Sequence, residues 1–133
     1  MGPRPSTWFG GYTGLSSALS CAMRMFPFAL YSKHATDVTL LLYSGNEYFK
    51  PLHEYRLNPL TNKSGRVWHC RLKAAAVSGA RYYAYRVAGA NEPGAGHRFD
   101  DEKILFDPCA GALFRPPHFS REAARIPGTY LFL

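Results

Sequence analysis

The clearest pattern in this chain lies in residues 81–108, RYYAYRVAGANEPGAGHRFDDEKILFDP. Its first part, residues 82–87, alternates with a period of two, which places Tyr83, Tyr85 and Val87 on one apolar face of a β-strand. The glycine and proline residues that follow predict a loop that neither a helix nor a strand ladder would include. The sequence therefore predicts a strand above a core, after which the chain returns across the end of a sheet.

The rest of the chain contains further short apolar segments separated by turn residues. These segments predict four earlier strands, at residues 26–31, 37–43, 53–57 and 66–72. Pro27 has no N–H group to donate, so the first strand is expected either to lie at a sheet edge or to begin after this proline. The second strand contains an apolar run, LLLY at 40–43, which predicts burial on both faces. Because no long helical period alternates with the strands, the sequence predicts an all-β fold, a small antiparallel β-sandwich.

Composition divides the chain into three parts. Residues 1–24 are rich in glycine, proline and hydroxyl side chains and are expected to be irregular, residues 25–114 form the predicted sandwich domain, and residues 115–133 are expected to be a linker-like, truncated tail. Short helical turns are predicted at residues 74–77, 109–114 and 120–125.

Size and charge limit the classes of partner. A chain of 133 residues with 47% hydrophobic residues can bury the core of one domain. The net charge is +7, but the sixteen lysine and arginine residues are scattered, which favours a solvated basic surface over nucleic-acid binding. No apolar stretch is long enough to span a bilayer, so no membrane partner is predicted.

Cysteine usage and the amino-terminal segment bear on the compartment. Cys21, Cys70 and Cys109 lack the paired spacing of a disulfide framework or a zinc site, which indicates a reducing compartment. We therefore expect the cytoplasm. Residues 14–23 leave open a weak signal-peptide core or part of a transit segment, which would make a plastid the alternative.

Catalytic and metal-binding patterns are missing from the sequence. Asp100, Asp101 and Glu102 are consecutive, so their side chains should diverge instead of facing each other across a scissile bond. Asp107 precedes a proline and is expected to cap a turn. The histidines show no metal-ligand spacing; they are His34, His53, His69, His97 and His118. No catalytic residue, metal or cofactor is predicted.

Aromatic residues provide the one functional lead. Sugar rings pack a face of C–H bonds against flat apolar side chains, while their hydroxyl groups bind polar groups at the rim. The candidate carbohydrate-binding residues are Tyr48, Phe49, Trp68, His97 and Phe99. Trp68 alternates with other apolar residues of its strand, which favours a core position as the alternative, and packing remains an alternative for each of the others.

Five short motifs occur in a fixed order along the chain. They are YSKHAT at 31–36, NKSG at 62–65 with VWH at 67–69, YAYRV at 83–87 with Gly89, GHRF at 96–99 and KILFDP at 103–108. Together they resemble the amino-terminal domain of isoamylases and glycogen-debranching enzymes, a member of carbohydrate-binding module family 48. The resemblance implies an immunoglobulin-like β-sandwich packed beside an α-amylase-type barrel.

The resemblance also implies a function. Enzymes of this family hydrolyse α-1,6 branch linkages of glycogen or starch with carboxyl groups of the barrel, so this chain alone is expected to be inactive. The hypothesis is an accessory domain of a debranching hydrolase, with a free α-glucan-binding module or a purely structural domain as alternatives. For the structural role, the expected barrel-docking residues are Ile104, Leu105, Phe106, Asp107 and Pro108.

Overall fold

The structure, a computed structural model, describes residues 24–115, 117, 120–122 and 125–126. Within these residues the chain forms short β-strands and two 3-10 turns. The strands are β1 (Met25–Tyr31), β2 (Ala35–Ser44), β3 (His53–Leu57), β4 (Lys63–Ser64), β5 (Val67–Lys73), β6 (Ala80–Gly89), β7 (Asn91–Glu92), β8 (His97–Arg98) and β9 (Ile104–Leu105). The 3-10 turns are Ala74–Val77 and Pro93–Ala95.

All strand pairs are antiparallel and form two sheets and a small hairpin. One sheet has the order β1-β5-β4, the other has the order β3-β2-β6-β9, and β7 pairs with β8. Residues from both sheets meet in one core, where the rings of Phe28 and Tyr83 lie 5.1 Å apart at 73°. The predicted all-β, immunoglobulin-like sandwich is confirmed.

The strand positions follow from the apolar pattern. β1 pairs only with β5 and so lies at a sheet edge, as the first of the two alternatives for this strand predicted. Leu40, Leu41 and Leu42 of β2 are all fully buried. Leu40 belongs to the core between the sheets, whereas Leu41 belongs to a smaller cluster with Tyr43, which confirms that β2 is covered on both faces.

The loop predicted after β6 is more ordered than expected. The prediction that no ladder or helix could include this segment was wrong, because β7 and β8 pair across the turn Pro93–Ala95. Gly96 adopts the left-handed conformation, with φ of 83°, which a residue without a Cβ atom adopts at little cost. The glycines that predicted a loop outside any ladder therefore lie in the tight turn between β7 and β8.

The helical turns predicted near the carboxyl end differ in outcome. The turn at Ala74–Val77 is present as a 3-10 turn. The turn predicted at residues 109–114 is absent; the Ala110 N–H group donates to the Asp107 carbonyl at 3.1 Å, and bends follow at residues 111 and 112. The helix predicted at residues 120–125 falls partly outside the described residues.

Other expectations also fall outside the described part of the chain. Of the predicted irregular segment 1–24 only Arg24 is described, and most of the predicted tail 115–133 is not, so both domain limits stay predictions. Among the described residues no helix has the length and apolar character needed to cross a membrane. Within the same residues no group of three or more His, Cys, Asp and Glu side chains is placed to hold a metal ion.

The two described cysteines should differ sharply in reactivity. Both are free thiols, but Cys70 is buried and Cys109 is exposed, and burial raises the pKa of the Cys70 thiol to about 11. Only the thiolate attacks alkylating reagents, so iodoacetamide at pH 8 should modify Cys109 in the native protein and Cys70 only after unfolding in urea. Peptide mass mapping checks this; equal native labelling would contradict the burial of Cys70.

Candidate functional site

Trp68 is the first candidate that the structure corrects. Its side chain is fully buried and belongs to the core between the sheets. It lies opposite Leu30 of β1 and Lys63 of β4, and the Lys63 ammonium lies 4.8 Å from the centroid of its ring. The core alternative is therefore confirmed, and Trp68 offers no platform to a sugar at the surface.

Tyr48 lies at the end of the sandwich that carries the β2–β3 loop. The centroid of its half-buried ring is 5.2 Å from that of Phe114 and 6.3 Å from that of Tyr82, and these two rings stack on each other at 4.4 Å and 14°. The Tyr48 hydroxyl donates to the Gly45 carbonyl at 2.8 Å. Tyr48 is thus fixed by packing, whereas Phe49 beside it is 51% exposed.

Phe99 lines an open cleft beside the end of β6. The cleft has a volume of about 620 Å³. Its apolar wall includes Val87, Phe99 and Leu105, and its polar rim includes Asn91, Arg98 and Lys103. Of the residues that the sequence singled out, this cleft brings together Phe99, a candidate sugar contact, and Leu105, a candidate docking residue.

A glycine allows the Phe99 ring to lie against β6. A Cβ atom on Gly89 would come within 2.6 Å of a carbon of the Phe99 ring, so a side chain at this position would displace the ring. Phe99 is half-buried and packs on the core between the sheets. The close contact fixes the orientation of Phe99 while the ring still forms part of the cleft wall.

The charged side of the cleft is organised by a buried lysine. Lys103 is 7% exposed; its ammonium donates to the Ile126 carbonyl at 2.7 Å and lies 3.9 Å from the Asp100 carboxylate. Asp101 and Glu102 are exposed, so the three consecutive acids diverge as the sequence predicted. A fixed Asp100 and the neighbouring Arg98 can orient hydroxyl groups at the rim.

His97 does not join Phe99 in the cleft. His97 is the first residue of β8, and the centroid of its ring lies 4.5 Å from that of His34, at an angle of 57°. Two of the other histidines have different neighbours: His53 contacts Tyr55, and His69 contacts Ser64. His118 lies outside the described residues.

Two of the expected docking residues point into the domain. Ile104 is 2% exposed and packs in the cluster with Leu41 and Tyr43. Asp107 is 7% exposed; it accepts the Tyr83 hydroxyl at 2.6 Å and the Cys109 N–H group at 2.8 Å. Neither side chain is accessible on the described domain, so a docking role for these two residues stays an untested prediction, while the turn-capping role of Asp107 is confirmed.

The other docking candidates are more accessible. Leu105 is 40% exposed, Phe106 is half-buried and Pro108 is exposed. β9 pairs with β6, with Leu105 opposite Tyr85 and Ile104 opposite Arg86. Leu105 therefore lies on the sheet face of Tyr85, and Ile104 lies on the opposite face, with the smaller cluster. The pairing of β9 with β6 could not be predicted from the sequence, because a strand of two residues is too short to show an alternating pattern.

Comparisons with known proteins show the family of this chain. The family model of carbohydrate-binding module 48 (isoamylase N-terminal domain) matches residues 17–110. A glycogen debranching enzyme of Dickeya chrysanthemi is 43% identical over 83 residues, which cover 62% of this chain and 11% of that protein. Isoamylase 3, chloroplastic, of Oryza sativa subsp. japonica is 34% identical over 113 residues, which cover 79% of this chain and 14% of that protein.

One solved structure that aligns with this chain is the catalytic module of the multi-modular glycogen-degrading pneumococcal virulence factor SpuA. The alignment has a TM-score of 0.42 and 22% sequence identity, and it covers 62% of this chain and 12% of the SpuA chain. The chain spans 11–14% of the length of these two curated relatives. The family match covers 94 consecutive residues, from 17 to 110, which is well over half of the chain. The chain belongs to the carbohydrate-binding module 48 family, the isoamylase N-terminal domain.

Proposed function

We propose that this chain is the accessory domain of a debranching glycoside hydrolase that cleaves α-1,6 linkages of glycogen or starch. The family match over residues 17–110 carries the proposal, and the similarity to a Dickeya glycogen debranching enzyme and a rice isoamylase supports it. The domain itself is non-catalytic. Its buried Asp107 is held by Tyr83 and Asp100 lies beside Lys103, so neither carboxyl group is placed as half of an acid and base pair.

The cleft beside β6 is the proposed contact for an α-glucan. The Phe99 ring and the Leu105 side chain provide an apolar surface for the C–H face of a glucose ring, and Arg98 and Asn91 provide donors for its hydroxyl groups. Phe49 is an exposed aromatic at the opposite end of β2 and is the rival platform.

Affinity electrophoresis through gels with and without glycogen tests this contact. Leu105→Ala removes apolar surface without changing the charge, and we expect the dissociation constant for glycogen to rise about fivefold, equivalent to about 1 kcal/mol. Leu60→Ala is the matched control, because Leu60 is 90% exposed and lies in the β3–β4 loop. If glycogen retarded Leu105→Ala normally but no longer retarded Phe49→Ala, the glucan contact would lie at the other end of the sandwich.

A structural role is the second candidate. Leu105 and Pro108 remain exposed although their neighbours Ile104 and Asp107 are buried. An exposed pair of apolar side chains of this kind suits contact with an adjoining barrel. A folded domain that no glycogen gel retards would contradict glucan binding and favour this docking role.

The proposed compartment is reducing. An exposed free thiol such as that of Cys109 is prone to oxidation outside reducing compartments. The cytoplasm therefore remains the proposed location, with a plastid as the alternative.

A further inference from the structure

Basic residues that are scattered along the sequence meet at one end of the sandwich. They come from the β1–β2 turn, the β4–β5 hairpin and β8. We name them the cationic cluster: Lys33, His34, Lys63, Arg66 and His97. All of them are exposed or half-buried.

Strand pairing brings the first two segments together. Tyr31, the last residue of β1, lies opposite Val67, the first residue of β5. The Ser32 N–H group donates to the Arg66 carbonyl at 2.9 Å, which ties the β1–β2 turn to the β4–β5 hairpin. Gly65, with φ of 62°, provides the left-handed conformation at the tip of this hairpin. Lys33 and Arg66 are therefore held on adjacent turns.

The third segment is placed by β2. Ala35 at the start of β2 pairs with Gly89 at the end of β6, and the chain continues from there into the hairpin of β7 and β8. His34 and His97 are thereby brought into ring contact at 4.5 Å. One acidic residue, Glu92, lies opposite His97 in this hairpin, and its side chain is exposed.

The charged groups that shift the pKa of His34 are all positive. Partial desolvation, and then the positive charges of His97, Lys33, Arg66 and Lys63, lower the pKa of the His34 imidazole below its usual value. Protonating this ring therefore adds a charge to an environment that is already positive. A bound anion would relieve that repulsion, which is the expected property of an anion site before its ligand arrives.

We propose that the cationic cluster is an oxyanion site that binds a phosphate ester carried by the α-glucan. The proposal rests on the proposed glucan-binding function. A neutral glucan has no group that such a concentration of cations would favour, whereas a phosphate ester has three oxygens that accept charge-assisted hydrogen bonds from guanidinium, ammonium and imidazolium groups.

The shape of the cluster favours this ligand over a nucleic acid. Proteins that bind single strands combine a basic groove with exposed aromatic rings on which successive bases stack. The ring of Trp68 lies under the Lys63 ammonium and is fully buried, whereas Tyr31, beside the cluster at the end of β1, is 62% exposed. Tyr31 offers one aromatic platform and not a row of platforms for successive bases, so a compact cluster of cations suits one phosphate group better than a polynucleotide.

The site itself can be tested without any glucan. Sulfate remains a dianion from pH 5 to pH 8, so its own titration does not confuse the result. An anion binds the protonated imidazole better, so sulfate should raise the pKa of His34 and its affinity should increase as the pH falls through that pKa. Proton NMR titration of the His34 and His97 ring protons, with chloride at equal ionic strength as the reference, measures this.

Matched variants separate the cluster from general charge. Arg66→Ala should abolish the sulfate-induced shift of His34. Lys50→Ala removes one positive charge from the β2–β3 loop, at the other end of the sandwich, and should leave the shift unchanged. An equal response in chloride and sulfate, or in both variants, would overturn the proposal.

The ligand class is tested by affinity electrophoresis in phosphate-bearing amylopectin, before and after treatment with a phosphatase. Phosphate should strengthen retardation of the parent domain about fivefold, and Arg66→Ala should lose only this increment. Equal retardation by both polymers would overturn the phosphate site and leave glucan binding intact, whereas retardation by neither would refute both proposals. Tighter binding to single-stranded RNA than to phosphate-bearing amylopectin would overturn the ligand assignment.

Discussion

Replacing Trp68 with alanine should lower the free energy of unfolding by about 3–5 kcal/mol, as is typical when a buried tryptophan is removed. Trp68 heads the fully buried side chains by volume and contacts the core that both sheets share. A domain of this size is usually stable by about 5–15 kcal/mol, so the variant would lose a large share of its stability. Urea unfolding followed by circular dichroism measures the loss.

Two further variants control for the position and for the indole group. Val67→Ala, one residue earlier on the outward face, is 37% exposed and should change stability by less than about 1 kcal/mol. Trp68→Phe should cost less than Trp68→Ala because it keeps a ring in the core. It also removes an indole N–H group that has no hydrogen-bond partner among the described residues. If Trp68→Ala unfolded at the same urea concentration as the parent, the core position would be refuted.

The position of Trp68 could be predicted because strands impose a period of two. In β5 Trp68 and Cys70 are buried while Val67 is exposed, and in β6 Tyr83 and Tyr85 face the core, all as the alternation predicted. Local pattern is enough here, since the pleat alone determines which side chains share a face. The sheet order was not accessible in the same way, because it depends on pairing between distant segments.

Predictions of exposure were weaker at residues whose contacts are distant in sequence. Tyr48 was a candidate carbohydrate-binding residue, yet its ring packs against Phe114 and lies close to Tyr82. Nothing near Tyr48 in the sequence signals either contact. The apolar run of β9 was similarly expected to dock on a barrel, and only its pairing with β6 shows that Ile104 is buried in the smaller cluster with Leu41 and Tyr43.

The cationic cluster shows the same limit at the level of charge. Its residues are far apart in sequence, so no run of basic residues marks the site. They meet because Ser32 bonds to Arg66 and because Ala35 pairs with Gly89, which are tertiary facts. Scattered charge in a sequence therefore does not exclude a concentrated charge on the folded domain.

Asp107→Ala should lower the free energy of unfolding by about 3 kcal/mol, because it leaves a buried and a partly buried donor without an acceptor. The carboxylate accepts the Tyr83 hydroxyl at 2.6 Å, which fastens the segment after β9 to β6, and the Cys109 N–H group at 2.8 Å, which closes the turn after Asp107. Tyr83→Phe removes one donor only and should cost about 1 kcal/mol. In a double-mutant cycle measured by urea unfolding, the two losses should overlap by at least about 1 kcal/mol.

Alkaline unfolding provides an independent measure of the same contact. Burial, and then the hydrogen bond to Asp107, raise the pKa of the Tyr83 phenol, whereas an unfolded tyrosine ionises near pH 10. Above about pH 10 unfolding therefore releases a proton, so stability should fall as the pH rises, by up to about 1.4 kcal/mol per pH unit from this residue. Tyr83→Phe should make that slope shallower. The contact between Tyr83 and Asp107 would be refuted if Tyr83→Phe left the pH slope unchanged and the two losses in the cycle were strictly additive. The unchanged slope would mean that the Tyr83 phenol has no raised pKa, and additivity would mean that the two side chains do not interact.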